Sequence, residues 1–262
     1  HWDIKGLAWA SLLAQGTMFV VSVIMMYRKT PFKFFIVKGI HPKFLQSLRM
    51  SADLLIRSSM LQGVLYFSFL KATLLGTDGD HTIVATHTLL NQVWTFSTFL
   101  FDGYCNAGGL ISGRLYSTRQ YESIRELVRQ LFYVVLGISS AISLIYFLFY
   151  YQIGTLMTEN TDISLLFYEN FWIVILMQPI TAITFLFSGV YKGMGFTQVL
   201  RDAFIIATLL GFLPAFYVCE NLLEWGLSGI WAAFFVWIVF RGGILFLHYL
   251  SFFCKRSVQP SV

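Results

Sequence analysis

Hydrophobic residues occur in seven long runs separated by short polar stretches, and this alternation dominates the 262-residue chain. Each run is long enough for a helix that crosses about 30 Å of bilayer hydrocarbon, the sixth being at the lower limit. The runs are Gly6–Tyr27, Leu54–Leu75, Ile83 to Gly103 or beyond, Leu131–Ile153, Asn170–Tyr191, Ala203–Cys219 and Trp225–Leu247. The sequence therefore predicts an all-α, polytopic membrane bundle of seven transmembrane helices.

The composition supports a membrane protein and gives no sign of an enzyme. Only 12% of the residues are charged and 57% are hydrophobic, whereas about a quarter of a soluble domain is charged. So few charges cannot cover a water-facing exterior, and we expect membrane lipids rather than nucleic acid as partners. The chain has no phosphate-binding P-loop, nucleophile elbow or zinc-protease motif, so we expect no cofactor and no metal site.

Lysine and arginine mark one side of the membrane. They follow the first, third, fifth and seventh runs, whereas the intervening connectors contain acidic residues and neither lysine nor arginine. Because cytoplasmic loops are enriched in these bases, the chain is predicted to start outside and to end in the cytoplasm. We expect a multi-pass protein of the plasma (inner) membrane.

Three charged residues inside the runs are the leading candidates for function. Asp102 is the single charge between Thr82 and Gly113, and a carboxylate at that depth must face protein or water. Asp53 and Arg57 lie one turn apart at the start of the second run. Our hypothesis is that the three form a polar cluster at a cavity. The structural alternative is that Asp53 favours a helix N-terminus while Arg57 extends to the membrane surface.

Polar side chains deep in other runs complete the candidate site. Asn91 and Gln92 lie in the third run, and Gln178 precedes Pro179 in the fifth. Amides at such depth form hydrogen bonds with neighbouring helices or with ligands. A proline removes a backbone hydrogen bond and kinks a helix, and transporters use bent helices around their binding sites. Four glycines near Asp102 predict a bend or close helix packing: Gly103, Gly108, Gly109 and Gly113.

Two further basic residues and the cysteines have structural interpretations. Lys71 lies near the outer end of the second run and Arg241 near the inner end of the seventh, so we expect them to extend to the membrane surface. Cys105, Cys219 and Cys254 have no metal-like spacing, and we expect them to be buried thiols.

A short repeat suggests how the chain is organised. The pattern Trp-x3-Gly-x3-Ala opens the first run at Trp2 and the last at Trp225, although so short a match also arises by chance. A genuine repeat places equivalent helices six spans apart, as in transporters built from two six-helix lobes. We therefore predict that residues 1–27 are the last helix of a truncated first lobe, with residues 28–50 a cytoplasmic amphipathic connector. Residues 51–254 are then a second six-helix lobe, and residues 255–262 a cytoplasmic tail.

Several segments resemble the multidrug and toxic compound extrusion (MATE) family in its DinF-like branch. They are ADLLIR ending at Arg57, the outer loop Gly76–Asp80, FLFDGYCNAGGLISG from Phe99, YKGMG from Tyr191 and the pair Arg241-Gly242. The resemblance implies twelve helices in two lobes around a V-shaped cavity, and a missing N-terminal lobe as partner. It also implies that the acidic coupling residues lie mostly in that lobe. Where the family often has a further acid, seven positions after Asp102, this chain has Gly109.

Our interpretation is secondary-active efflux of organic, often cationic, compounds by H⁺ or Na⁺ antiport. The expected cavity residues are Asp102, Asp53, Arg57, Asn91, Gln92 and Gln178. One alternative is a flippase of lipid-linked precursors with the same two-lobe plan, which a groove lined by arginine would favour. The other is a seven-span receptor, against which the run ends lack Asp-Arg-Tyr and Asn-Pro-x-x-Tyr motifs.

Overall fold

The computed structural model describes residues 3–29, 44–76 and 80–257, which are helical apart from short turns. The chain divides into two compact units, residues 1–45 and 46–262. The first unit contains the 27-residue helix α1 (Asp3–Lys29). The remaining helices are α2 (Phe44–Leu74), α3 (Thr82–Ser117), α4 (Tyr121–Leu148), α5 (Tyr150–Met157), α6 (Thr161–Met194), α7 (Thr197–Ile206), a π-helical segment (Ala207–Phe212), α8 (Leu213–Asn221) and α9 (Gly226–Ser257).

Within these described ranges, five helical stretches are long and apolar enough to cross a membrane. They are Trp9–Lys29, Tyr121–Leu148, Thr161–Met194, Thr197–Asn221 and Gly226–Phe253. Helices α2 and α3 have 31 and 36 residues and are long enough, but they are more polar. The predicted all-α membrane bundle is confirmed, while the count of seven spans stays a prediction for the two helices that carry the candidate charges.

Two helices begin well before the hydrophobic runs that predicted them. Helix α2 starts at Phe44 and α4 at Tyr121, each ten residues before its run. In α4 this added stretch contains an ion pair within the helix, between Arg129 and Glu126 at 2.6 Å. Of the predicted connector, residues 44–50 are therefore helical and residues 30–43 lie outside the described part. Residues 77–79 of the predicted outer loop and 258–262 of the tail also lie outside it.

Local sequence signals fix both ends of α6. The Asn160 side chain caps the first turn by accepting hydrogen bonds from the backbone amides of Asp162 at 2.9 Å and Ile163 at 3.3 Å. At the other end, Gly195 adopts a left-handed conformation with φ of 82°, and its amide donates to the Lys192 carbonyl. The YKGMG segment is thus a glycine-capped helix end.

Helix α6 continues through Pro179 because a neighbouring helix replaces the missing bond. Proline has no N–H, so the carbonyl of Ile175, four residues earlier, loses its helical donor. Ser143 of α4 donates its hydroxyl to that carbonyl at 3.1 Å. The Ile175 carbonyl is therefore satisfied by a side chain of the neighbouring helix α4.

Glycines bring α3 and α6 into direct backbone contact. A Cβ atom on Gly113 would lie 2.5 Å from the Gly193 carbonyl oxygen, and one on Gly193 would overlap the carbonyl of Gly109. A Cβ on Gly109 would in turn overlap the carbonyl of Gly189. Such small residues at intervals of four are typical of close helix pairs in membranes. Close packing is thus confirmed at Gly109 and Gly113, whereas Gly103 has open space beside it.

The sixth predicted run is one helical stretch with a π-helical segment at its centre. Pro214 follows the segment and cannot donate to the carbonyl of Leu210, which favours a local change in winding. Trp237 of α9 donates its indole N–H to the Thr208 hydroxyl in the segment at 3.1 Å. Gly211 lies against the Phe240 ring. The segment is therefore anchored to α9 by one side-chain hydrogen bond and one apolar contact.

Candidate ion and substrate site

Asp102 lies on α3, 15 residues before the end of the helix, and its side chain is exposed. Asn106, one turn later, donates its amide to the Asp102 carboxylate at 2.7 Å. Lys192 of α6 donates to the Asn106 carbonyl oxygen at 3.3 Å. An acid, an amide and a base thus form a hydrogen-bonded chain across two helices, on a surface that must face water or protein rather than lipid.

Arg57 of α2 is attracted electrostatically to Asp102, although the two side chains form no ion pair in the described part of the chain. The Arg57 side chain is half-buried, and its guanidinium carbon lies 5.0 Å from the centroid of the Phe204 ring in α7. Arg241 of α9 lies 4.2 Å from the same centroid. Two arginines from different helices therefore share one aromatic ring, and Asp102 attracts the first of them; we call these three residues the charged layer.

Arg241 is buried among aromatic rings, with only 3% of its surface exposed. Besides Phe204, its guanidinium carbon lies 5.5 Å from the Phe185 ring and 5.8 Å from the Trp237 ring. Such cation–π contacts offset part of the cost of burying a charge. Its one hydrogen bond, from Nη2 to the Ser188 hydroxyl, is long at 3.4 Å. The prediction that Arg241 anchors the helix at the membrane surface is wrong, because this aromatic cage holds it inside the protein.

The structure separates Asp53 from the other two members of the predicted cluster. Asp53 is buried and accepts hydrogen bonds from the Thr197 hydroxyl at 3.0 Å and from Arg201, both on α7. Arg201 also binds Asp202 at 2.8 Å. The Asp53 carboxylate is thus committed to a link between α2 and α7, not to Arg57 or Asp102. Of the three charged residues that were predicted to cluster, only Arg57 and Asp102 remain as candidates for one site.

The three predicted amides form no hydrogen bond with Asp102 in the described part of the chain. Asn91 and Gln92 precede Asp102 by 11 and 10 positions, roughly 15 Å along α3; Asn91 is half-buried and Gln92 is exposed. Gln178 is fully buried on α6, and neither atom of its amide finds a hydrogen-bond partner among the described residues. The structure does not bring these amides together with Asp102, and their roles stay predictions.

A separate ion pair links α2 to α8. Lys71 binds Glu220 at 2.9 Å, with somewhat more than a quarter of each side chain exposed. The Lys71 ammonium also lies 5.9 Å from the Phe67 ring and 5.6 Å from the Phe216 ring. Lys71 therefore has a protein partner near the C-terminal ends of α2 and α8, and its expected extension to the membrane surface stays a prediction.

Two of the three cysteines can be assessed. Cys105 and Cys219 are free and buried, which confirms the prediction for them, while the side chain of Cys254 lies outside the description.

Sequence reasoning missed Asn106, Lys192 and Arg201 as partners of the candidate acids. For Asn106, the four-residue spacing from Asp102 was an available signal. For Arg201 and Lys192, which lie on other helices, the sequence contains no comparable signal.

Comparisons with known proteins agree with this geometry. A family model described as MatE matches residues 58–217. The chain is 24% identical over 254 residues to DNA damage-inducible protein F of Escherichia coli K12, covering 92% of this chain and 52% of that protein. It is 22% identical over 173 residues to protein DETOXIFICATION 44, chloroplastic, of Arabidopsis thaliana, covering 66% of this chain and 33% of that protein.

The fold is also that of crystallised MATE proteins. One of them, in a bent conformation, superposes with a TM-score of 0.82 at 19% identity, covering 97% of this chain and 57% of that one. The chain thus spans about half the length of the bacterial relative and of this crystallised protein. The resemblance inferred from the sequence is confirmed. Because the family model covers more than half of the residues, the chain belongs to the MatE family.

Proposed function

We propose that this chain forms part of a secondary transporter that exports organic compounds in exchange for H⁺ or Na⁺. The observation that carries the proposal is the exposed carboxylate of Asp102 within a long helix of a membrane bundle. Asn106 donates to this carboxylate, Lys192 binds Asn106, and Arg57 is attracted to the charge of Asp102. Family membership overturns the alternative of a seven-span receptor.

The polar side of α2 supports a water-filled cavity along this helix. Ser58, Ser59 and Gln62 are exposed and, with Leu54 and Leu55, line an open groove of about 590 Å³. Polar groups along one helix side that have no hydrogen-bond partner among the described residues are costly in lipid, so this side is expected to face water or another part of the protein. In the two-lobe arrangement that we propose, it faces an N-terminal lobe across the transport pathway.

Asp102 is the proposed coupling residue. Binding H⁺ or Na⁺ cancels its negative charge and weakens its attraction for Arg57. Since Asp102 is on α3 and Arg57 on α2, ion binding then changes how strongly the two helices attract each other. This provides a direct physical link between ion occupancy and helix position. The remaining expectations, an outside start, a cytoplasmic C-terminus and an inner-membrane location, belong to this proposal.

A flippase of lipid-linked precursors is the second candidate, and one observation favours it. Arg57 and Arg241 place two cations beside one aromatic ring, that of Phe204. Lipid-linked precursors carry phosphate, which arginine binds well. Transport of a phosphate-linked lipid, rather than of a water-soluble compound, would decide for this candidate.

The test uses the intact protein encoded by the complete gene, reconstituted into liposomes. Uptake or release of a fluorescent organic cation such as ethidium is followed after imposing an H⁺ or a Na⁺ gradient. We expect Asp102→Asn to lower gradient-driven transport by about tenfold or more while leaving expression intact. Arg57→Ala is expected to lower it as well.

Glu159→Gln is the matched control, because Glu159 is an exposed acid between α5 and α6 and far from Asp102 in sequence. Its transport should equal that of the parent protein. Normal transport by both Asp102→Asn and Arg57→Ala would remove the charged layer from the mechanism. A response to only one of the two gradients would identify the coupling ion.

A further inference from the structure

Arg241 has a net charge that no described residue neutralises. It is 97% buried, none of the carboxylates of the described residues forms an ion pair with it, and its Nε–H has no hydrogen-bond partner among them. A buried arginine of this kind is costly unless something supplies negative charge. The aromatic cage offsets part of that cost but adds no charge.

Arg57 adds a second cation next to the first. Each guanidinium carbon lies within about 5 Å of the Phe204 centroid, so the two lie within about 10 Å of each other. The nearby acids are already engaged: Asp53 with Arg201, and Asp102 with the Asn106 amide while it also attracts Arg57. Two like charges, only one of which is attracted to an acid, leave an excess of positive charge in a region of low dielectric constant, where charge interactions are strong.

We propose that Arg57 and Arg241 form a binding site for the oxyanion group of a cargo molecule, a carboxylate or a phosphate. The half-buried Arg57 contacts the anion directly, because a guanidinium matches the two oxygens of such groups. Arg241 lies beneath and strengthens binding through its positive field, so it is a positioning residue. This assignment of substrate class rests on the proposed transport function.

The site also predicts a competition within the protein. Asp102 attracts Arg57, so its carboxylate competes with the oxyanion of the cargo for the same guanidinium. Removing the charge of Asp102 should therefore strengthen anion binding, even though the same change is expected to impair ion-driven transport. A merely structural role for Arg57 predicts no such opposite response.

The test measures binding to the intact protein in nanodiscs of neutral lipid by isothermal titration calorimetry. The probes are benzoate and phenyl phosphate, with benzylamine as a cation of similar size and the same ring. We expect both anions to bind and benzylamine to bind more weakly. Arg57→Gln should weaken binding of the anions by about tenfold, the usual effect of losing a hydrogen bond to a charged group. Asp102→Asn should strengthen it.

Arg114→Gln is the matched control, because it removes one exposed arginine at the end of α3 and should leave anion affinity unchanged. Melting temperature and gel filtration verify that each variant is folded. A parallel titration with nanodiscs that contain phosphatidic acid identifies the source: saturation by the lipid alone, displacing benzoate, assigns the site to a lipid phosphate.

Three outcomes would overturn the oxyanion site: no anion binding by the parent protein, equal binding by Arg57→Gln, or a preference for benzylamine. These outcomes are independent of the transport test. If anions bind as expected but no ion gradient drives any transport, the proposed function fails and the binding site stands. If Asp102→Asn abolishes transport but anions do not bind, the proposed function stands and the oxyanion site fails.

Discussion

Helices α2 and α6 are held in the second unit by opposite means. Half of α6 is buried, 17 of its 34 residues, and its backbone touches that of α3 at Gly189 and Gly193. In α2, four of 31 residues are buried, and two of these are Asp53 and Ser68. Both make hydrogen bonds to other helices, Asp53 to α7 and Ser68 to His87 of α3 at 3.3 Å.

The contrast indicates which parts can move. Backbone contact between glycines allows little adjustment, because a shift of either helix produces an immediate overlap or gap. Polar links between side chains can break and re-form with other partners. Since Arg57 is on α2 and Asp102 is on α3, the charged layer lies where a tethered helix meets a rigid pair. A change of charge in that layer would therefore act mainly on α2.

The largest expected effect is that of filling the contact between α3 and α6. In Gly193→Val, the new side chain overlaps the Gly109 carbonyl, and the helices must separate. We expect a loss of at least about 3 kcal/mol of stability and a sharp fall in folded protein, measured by thermal unfolding in detergent. Gly103→Val is the control, because Gly103 has open space beside it. Equal losses in the two variants would contradict the rigid contact.

An intermediate effect is expected from cutting the link between α2 and α7. Asp53→Asn removes the charge that binds Arg201, at a cost of about 2 kcal/mol. Hydrogen exchange followed by mass spectrometry should show faster exchange in α2 and α7 but not in α3 and α6. Asp202→Asn removes the exposed partner of the same arginine and should change stability by less than about 0.5 kcal/mol. Faster exchange throughout the bundle would refute a tethered α2.

The smallest effect concerns the proline of α6. Ser143→Ala leaves the Ile175 carbonyl without its donor, at a cost of about 0.6 kcal/mol, a typical value for such bonds in membranes. Pro179→Ala restores an N–H that reaches the same carbonyl, so Ser143→Ala should cost much less in that background. A double-mutant cycle of thermal unfolding measures the difference. If the loss is the same in both backgrounds, the hydroxyl does not serve the proline.

The sequence was sufficient for the fold because a membrane helix is recognised from length and hydrophobicity alone. It was also sufficient for the close approach at Gly109 and Gly113, since few other residues permit it. The family followed from short motifs around Arg57 and Asp102. Each of these features depends on residues within a single segment of the sequence.

Partners between helices could not be predicted in the same way. Asp53 finds Arg201 148 residues later in the chain, and the cage of Arg241 takes Phe185, Phe204 and Trp237 from three helices. A hydrophobic run is similar on all sides, so its pattern does not state which side meets which neighbour. The misplacement of Arg241 at the membrane surface has this cause.

The π-helical segment makes the sixth span sensitive to residue number as well as to residue type. An α-helix advances about 100° per residue, so removing one residue from this segment would rotate everything after it by about that angle. Phe216 and Glu220 would then turn away from Phe67 and Lys71, while Arg201 and Phe204 kept their places. The link between the C-terminal end of α2 and α8 thus depends on one extra residue in a different helix.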